Sequence, residues 1–188
     1  SAGSTRLESC GTGGGRPRAR AEERGSAMRL YSGKVPQLSE DIVRALDQEK
    51  AIEFESRSEV VKDVESVFSS YLTTERAVSE RARNVVQSRG LPHSELARIR
   101  AIEAERRGIK VGEEMLDHLL DQLIEILMHS SHVDEVFAED HQLRRMMRPA
   151  LRKHLDEDQQ IEAEVRGKLK HVQENTRTWK IEYQRVIS

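Results

Sequence analysis

The chain has 188 residues, of which 34% are charged and only 4% are aromatic, and its net charge at pH 7 is −2. This length allows one or two small domains, and the composition is typical of helical proteins with long solvated faces and argues against a β-sandwich. The near-balanced charge excludes a strong basic field that would attract nucleic acids. The single cysteine, Cys10, excludes an internal disulfide and favours the cytoplasm, and no apolar run approaches the roughly 20 residues of a membrane span.

The segment 1–27 contains almost nothing that could be buried. It includes a glycine-rich run at 11–15 and a small basic tract at 16–20. This composition predicts a disordered tail. Two interpretations stay open. The segment is either an arm that contacts an acidic partner or RNA, or a tail without a function, which includes the case that Met28 is the native start and the segment 1–27 is a translated leader.

From Met28 onward the apolar pattern repeats itself. When Leu38 is aligned with Leu119, the residues Ile42, Val43 and Leu46 fall on Leu123, Ile124 and Leu127; after a two-residue insertion, Val60, Val64 and Phe68 fall on Leu143, Met147 and Leu151. The agreement predicts a tandem duplication, with residues 28–108 as the first copy and residues 109–188 as the second. We expect each copy to have its own small core.

In the first copy, apolar residues at three- and four-residue spacing predict helices over about 35–47, 58–88 and 95–107. The connector 51–56 contains an alternating pair, Ile52 and Phe54, that favours a brief strand. Gly90 and Pro92 end the second helix, and Gly108 ends the third.

In the second copy, 113–128 is predicted to be a helix with a broad apolar face and an acidic face. The connector 130–136 follows, and then a long helix over about 139–172, in which Pro149 predicts a kink or break near Arg145. The stretch 179–183 is predicted to be helical, although its alternating apolar residues also fit a strand. The predicted fold class is therefore all-α, with two tandem copies of a three-helix unit that has long amphipathic helices.

Several strings in the chain resemble a bacterial family catalogued as domain of unknown function 507. They lie at 28–36, 112–130, 136–145, 148–149 and 176–183, so the resemblance covers almost everything except the segment 1–27. It implies a small cytosolic bacterial protein. It brings no activity, cofactor or site residues with it.

Six of the seven histidines lie in the second copy. Glu125, His129 and His132 stand at positions i, i+4 and i+7, and a carboxylate with two imidazoles is a set that binds transition metals. The segment 129–132 falls where the helix should end, however, and a histidine there commonly interacts with the terminal carbonyls. We predict no metal and no cofactor, and these three residues are only candidate ligands.

No catalytic motif is recognisable in the sequence. It has no glycine-rich phosphate loop followed by Lys-Ser or Lys-Thr, no Cys-x-x-Cys and no nucleophile–histidine–acid order. Acidic residues at helical spacing are typical of a solvated face. We therefore predict that the protein is not an enzyme.

Two basic clusters are the remaining candidates for a binding site. One contains Arg144, Arg145, Arg148, Arg152 and Lys153, and the other contains Arg98, Arg100, Arg106, Arg107 and Lys110. If the clusters faced one way they could contact a phosphate backbone, but the acids around them favour an ion-paired, solvated face.

The predicted function is a non-catalytic interaction module. Its long amphipathic helices should expose more apolar surface than two small cores can cover, which leaves a stripe for another protein or for a second copy of the chain. The alternative is a nucleic-acid- or ribosome-associated protein that uses the arginine clusters. No membrane contact is predicted, and the expected location is the cytoplasm.

Overall fold

The computed structural model describes residues 29–168 and residue 181. In this part of the chain the elements are α1 (Val35–Gln48), β1 (Ile52–Glu53), α2 (Arg57–Ser88), α3 (Leu96–Arg106), α4 (Met115–His129), β2 (Glu135–Val136) and α5 (Asp140–Lys168). A single 3-10 turn precedes each of α1, α3 and α4. The predicted all-α class is confirmed. None of the described helices is long and apolar enough to cross a membrane.

Helices α1 and α4 bury the side chains that the sequence repeat aligns. The four aligned pairs, Leu38 with Leu119, Ile42 with Leu123, Val43 with Ile124 and Leu46 with Leu127, are all buried. Their spacing puts each set on one face of its helix, which explains why both helices form against the core. The tandem duplication itself stays a prediction.

The two long helices lie close to their predicted positions. Helix α2 has 32 residues and is therefore about 48 Å long. The sequence predicts a kink or break near Arg145; helix α5 continues on both sides of Pro149, so the break does not occur. Proline removes one backbone hydrogen bond there. Met147 and Leu151, which flank the proline, are fully buried and hold both sides of the helix on the core.

The two halves share one core. Helix α1 packs against α2 and α5, and α4 also packs against α2 and α5. Phe68 of the first half and Leu151 of the second belong to the same cluster of buried apolar side chains. The prediction of a separate core in each copy is therefore wrong. Each long helix is covered by the first helix of its own half and also by the first helix of the other half.

The two short strands also join the halves. They pair antiparallel, with Ile52 opposite Val136 and Glu53 opposite Glu135. The Phe137 N–H donates to the Ala51 carbonyl oxygen at 2.9 Å and extends the pairing. The sequence correctly predicts a brief strand in the connector 51–56, but it does not predict that this strand pairs with β2 of the second half.

Besides residues 169–172 at the end of the predicted helix 139–172, two predicted segments lie outside the described residues. These are the segment 1–27 and the stretch 179–183, except that Ile181 is described and is helical.

Candidate interaction surface

The three candidate metal ligands have different partners. Helix α4 ends at His129, whose Nδ1 lies 2.8 Å from the carbonyl oxygen of Glu125 one turn earlier. His132 lies beyond the helix end, and its Nδ1 is 2.9 Å from Oδ2 of Asp63 on α2. The spacing that would align all three residues on one helical face is therefore lost. Within the described residues, no group of three or more histidine, cysteine or acidic side chains could hold a metal ion.

Asp63 instead ties the α4–β2 connection to α2. The hydroxyl of Ser130 donates to the Asp63 carboxylate, and the backbone N–H of His132 donates to Ser130 Oγ at 3.0 Å. The serine hydroxyl donates to the aspartate and not to the imidazole ring, which differs from the Ser-His-Asp relay of a hydrolytic triad. These contacts give His132 a structural role.

A groove of about 420 Å³ lies between α2 and α4. Tyr71 and His118 lie against each other in it, with ring centroids 6.0 Å apart. The Tyr71 hydroxyl donates to the Lys110 carbonyl oxygen at 2.9 Å, and burial raises the pKa of Tyr71. Burial also lowers the pKa of His118, which favours a neutral ring. The Thr74 hydroxyl donates to the Ser70 carbonyl oxygen. The groove therefore combines two hydroxyl groups that already donate to backbone carbonyl oxygens, an imidazole ring that favours its neutral form, and the side chain of Glu125.

Two of the four arginines of the first basic cluster bridge helices. Arg144 pairs with Asp121, and Arg148 pairs with Asp117, so both arginines of α5 contact carboxylates of α4. Arg152 Nε lies 4.0 Å from Asp156. Arg145 and Lys153 are exposed and form no ion pair with any residue that the structure describes. A phosphate backbone would have to compete with these carboxylates.

The second basic cluster is also largely paired. Ion pairs join Arg98 to Glu95, Arg100 to Glu75, Arg106 to Glu103 and Lys110 to Glu114. The pair of Arg100 with Glu75 holds α3 against α2 and is mostly buried, with 13% and 20% of the side chains exposed. The other three pairs each join residues three or four positions apart and add little to stability, and Arg107 is exposed and forms no ion pair with the described residues.

A different surface emerges at the paired strands. Side chains alternate along a strand, so Ile52 and Val136 share the side that faces the core, and Glu53 and Glu135 share the opposite, exposed side. Phe137 follows Glu135 by two residues and is placed on that same side. Its side chain is 58% exposed. We call Glu53, Glu135 and Phe137, with the flanking residues of 49–55 and 134–140, the sheet-end surface.

The sheet-end surface is strongly acidic. Its seven exposed carboxylates are Glu49, Glu53, Glu55, Asp134, Glu135, Glu139 and Asp140, and its only basic residue is Lys50. Glu139 contacts His141 at 3.3 Å; the other six form no ion pair with the described residues. Glu139 and Asp140 are favourable at the start of α5 because a helix N-terminus attracts negative charge. Glu53 and Glu135 have no such local reason, and like charges directly opposite each other in a strand pair repel.

The sheet-end surface is not predicted by the sequence pattern. Phe54 and Phe137 each follow a two-residue strand, yet Phe54 packs against the core and Phe137 is exposed. A signal was present, since acidic residues are dense in both connectors. The strands are too short for their alternation to show which face is buried, and the pairing of two segments that lie far apart in sequence leaves no local pattern.

Comparisons with known proteins give a family. A comparison with curated proteins finds no match to this chain. The family model described as protein of unknown function, DUF507, matches residues 28–188. This match spans every described element, from the start of the fold to the end of α5. The chain therefore belongs to the DUF507 family.

Proposed function

We propose that this DUF507 protein is a non-catalytic interaction protein of the cytoplasm, and that it binds another protein or a second copy of itself through the sheet-end surface. The exposed ring of Phe137 carries the proposal. A large apolar side chain on an ordered surface costs solvation free energy unless a partner covers it. The backbone hydrogen bond from Phe137 to Ala51 holds the main chain of this residue against the other half.

In the part of the chain that the structure describes, the long helices expose less apolar surface than their sequence periodicity predicts. Val60, Phe68 and Leu151 of their apolar stripes are fully buried by other helices of the same chain. Large exposed apolar side chains are therefore few in the part of the chain that is described: Ile102, Met128, Phe137 and Ile181, of which Phe137 is the most exposed. This comparison favours the sheet-end surface over the helix faces.

A nucleic-acid- or ribosome-associated role through the arginine clusters has less support. Arg144 and Arg148, the centre of the first cluster, are paired with carboxylates of α4. Each arginine would have to break an ion pair before it could neutralise a phosphate, which reduces the gain from counterion release. We therefore prefer a protein partner.

Site-specific crosslinking in the cells that naturally produce the protein tests this proposal. Benzoylphenylalanine at position 137 replaces one aromatic ring with another, and the same residue at position 102 is the matched control because Ile102 is exposed on α3. We expect a crosslinked protein at position 137 and none at position 102; its mass distinguishes a different protein from a second copy. Equal crosslinking at both positions, or none at position 137, would contradict the proposal.

A further inference from the structure

We infer that the partner is another protein with a cationic side chain, arginine above all, that binds between Glu53 and Glu135 and lies against the ring of Phe137. This inference rests on the function proposed above. It adds the chemistry of the group that the sheet-end surface recognises.

The strand register creates the cation site. Glu53 and Glu135 are directly opposite each other, and the Cβ atoms of such residues are about 4.5–5.5 Å apart. Two carboxylates at this separation can accept the forked N–H groups of one guanidinium, which a single carboxylate would bind less firmly. Both side chains are exposed, so no other part of the described chain covers them.

Phe137 adds a second contact for the same group. It occupies the position diagonal to Glu53 on the same side of the strand pair, and diagonal neighbours are about 7–8 Å apart, within reach of an aromatic ring. A guanidinium that binds the two carboxylates can therefore stack on the ring face. The ring also provides apolar contact for the aliphatic stem of an arginine or lysine.

The negative charge of the sheet-end surface favours a basic protein segment over RNA, a lipid surface or a second copy of the chain. Seven carboxylates and one lysine repel RNA and anionic lipid surfaces and attract a basic segment. A symmetric dimer through this face would bring two identical acidic surfaces together, because a two-fold interface matches a patch with itself. A basic segment of a different protein meets neither difficulty.

Peptide binding at low ionic strength tests the inference. The probes are a short fluorescent peptide in which arginine and leucine alternate, and the same peptide with citrulline in place of every arginine, which keeps the shape and removes the charge. The variant is Glu53→Gln with Glu135→Gln. The matched control is Glu80→Gln with Glu105→Gln, which removes the same charge from exposed positions on α2 and α3. Glu80 lies about 35 Å along α2 from the sheet end.

We expect the arginine peptide to bind the wild-type protein about tenfold more tightly than the citrulline peptide does. Glu53→Gln with Glu135→Gln should weaken the binding of the arginine peptide by about tenfold, and the control by less than about twofold. Phe137→Leu, which keeps an apolar side chain without a ring, should weaken it by about threefold. Thermal melts of each variant confirm that these exposed substitutions leave the fold intact.

Three results would overturn the inference. The two peptides could bind equally tightly, or the control variant could weaken binding of the arginine peptide as much as Glu53→Gln with Glu135→Gln does. The third is that a single-stranded RNA binds at this surface and that Phe137→Leu abolishes its binding. Crosslinking at position 137 separates this failure from failure of the proposed function. Suppose that position 137 still crosslinks in the Glu53→Gln, Glu135→Gln variant and that the arginine peptide does not bind the wild-type protein. The partner then binds without a cationic group, and only the inference is contradicted. If position 137 gives no crosslink in the otherwise wild-type protein, both the proposed function and the inference are contradicted.

Discussion

Glu53 and Glu135 lie directly opposite each other across the β1–β2 pair, so two carboxylates from different halves of the chain share one exposed face. The core fixes this arrangement. Ile52 is buried on the other side of the same strand, and a slip of one residue would turn Ile52 into solvent and Glu53 towards the core. The repulsion between the two glutamates therefore lowers the stability of the strand pair, and the packing of Ile52 keeps the glutamates opposite each other despite it.

Reversing one of these charges should stabilise the protein. We expect Glu135→Lys to raise the free energy of unfolding by about 0.5–1 kcal/mol at low ionic strength, because an opposed like-charge pair becomes an attractive one. Salt should reduce the gain. Urea denaturation at two salt concentrations measures both effects. Glu105→Lys on α3 is the control and should change stability by less than about 0.5 kcal/mol. A variant no more stable than wild type would show that the glutamates do not repel measurably.

Asp158 should make stability depend on pH. It lies fully buried on α5, and burial raises the pKa of its carboxyl to about 6 in spite of nearby Lys34 and the backbone N–H of Tyr31. The folded state therefore binds the proton more tightly than the unfolded chain, whose aspartate pKa is about 3.9. The stabilisation is complete below about pH 4 and is lost as the pH rises through about 6.

Asparagine cannot ionise, so the variant Asp158→Asn should not lose stability as the pH rises through about 6. We expect its free energy of unfolding, relative to that of the wild type, to rise by about 2–3 kcal/mol between about pH 4 and about pH 7. Denaturant titrations of both proteins across this range measure how the difference in their free energies of unfolding changes with pH. A packing defect caused by asparagine shifts this difference equally at every pH and therefore does not affect its change. Parallel pH profiles for the two proteins would show that Asp158 does not titrate in this window.

The ion pair of Glu75 with Arg100 should hold α3 in place. Both side chains are mostly buried, so Glu75→Ala leaves an unpaired guanidinium with little access to water and should lower stability by about 3 kcal/mol. Hydrogen exchange should show that amides of α3 lose protection before those of α1. The control is Glu95→Ala, which removes the exposed partner of Arg98 and should cost less than about 1 kcal/mol. Equal effects of the two substitutions would contradict a special role for the buried pair.

The shared core predicts one cooperative unfolding transition. Phe68 is fully buried in the cluster that both halves build, and Phe68→Ala should lower the free energy of unfolding by about 3–5 kcal/mol. The transition should stay single, with coincident loss of helical circular dichroism and of the tertiary signal from probes placed in either half. Two separate transitions, with only the first half destabilised, would restore the interpretation of independent cores.

The sequence by itself determined where the helices lie. Apolar residues at three- and four-residue spacing located α2 to within one residue, at 58–88 against Arg57–Ser88, and α4 to within two residues. This success has a local cause, because a helix needs one apolar face whatever covers it. The break predicted near Arg145 does not occur because Pro149 removes only one hydrogen bond, and the packing of Met147 and Leu151 outweighs that loss.

Only the tertiary structure decided what each apolar face meets. Periodicity shows that α5 has an apolar stripe, but not that α1 of the other half helps to cover it, and so the shared core was missed. The same limit applies to polar groups. Arg144 and Arg148 look like a basic cluster in sequence, and their carboxylate partners are known only once α4 lies beside α5. Glu53 and Glu135 become neighbours only through the pairing of two strands of two residues each, whose hydrogen bonds join segments that no local pattern connects.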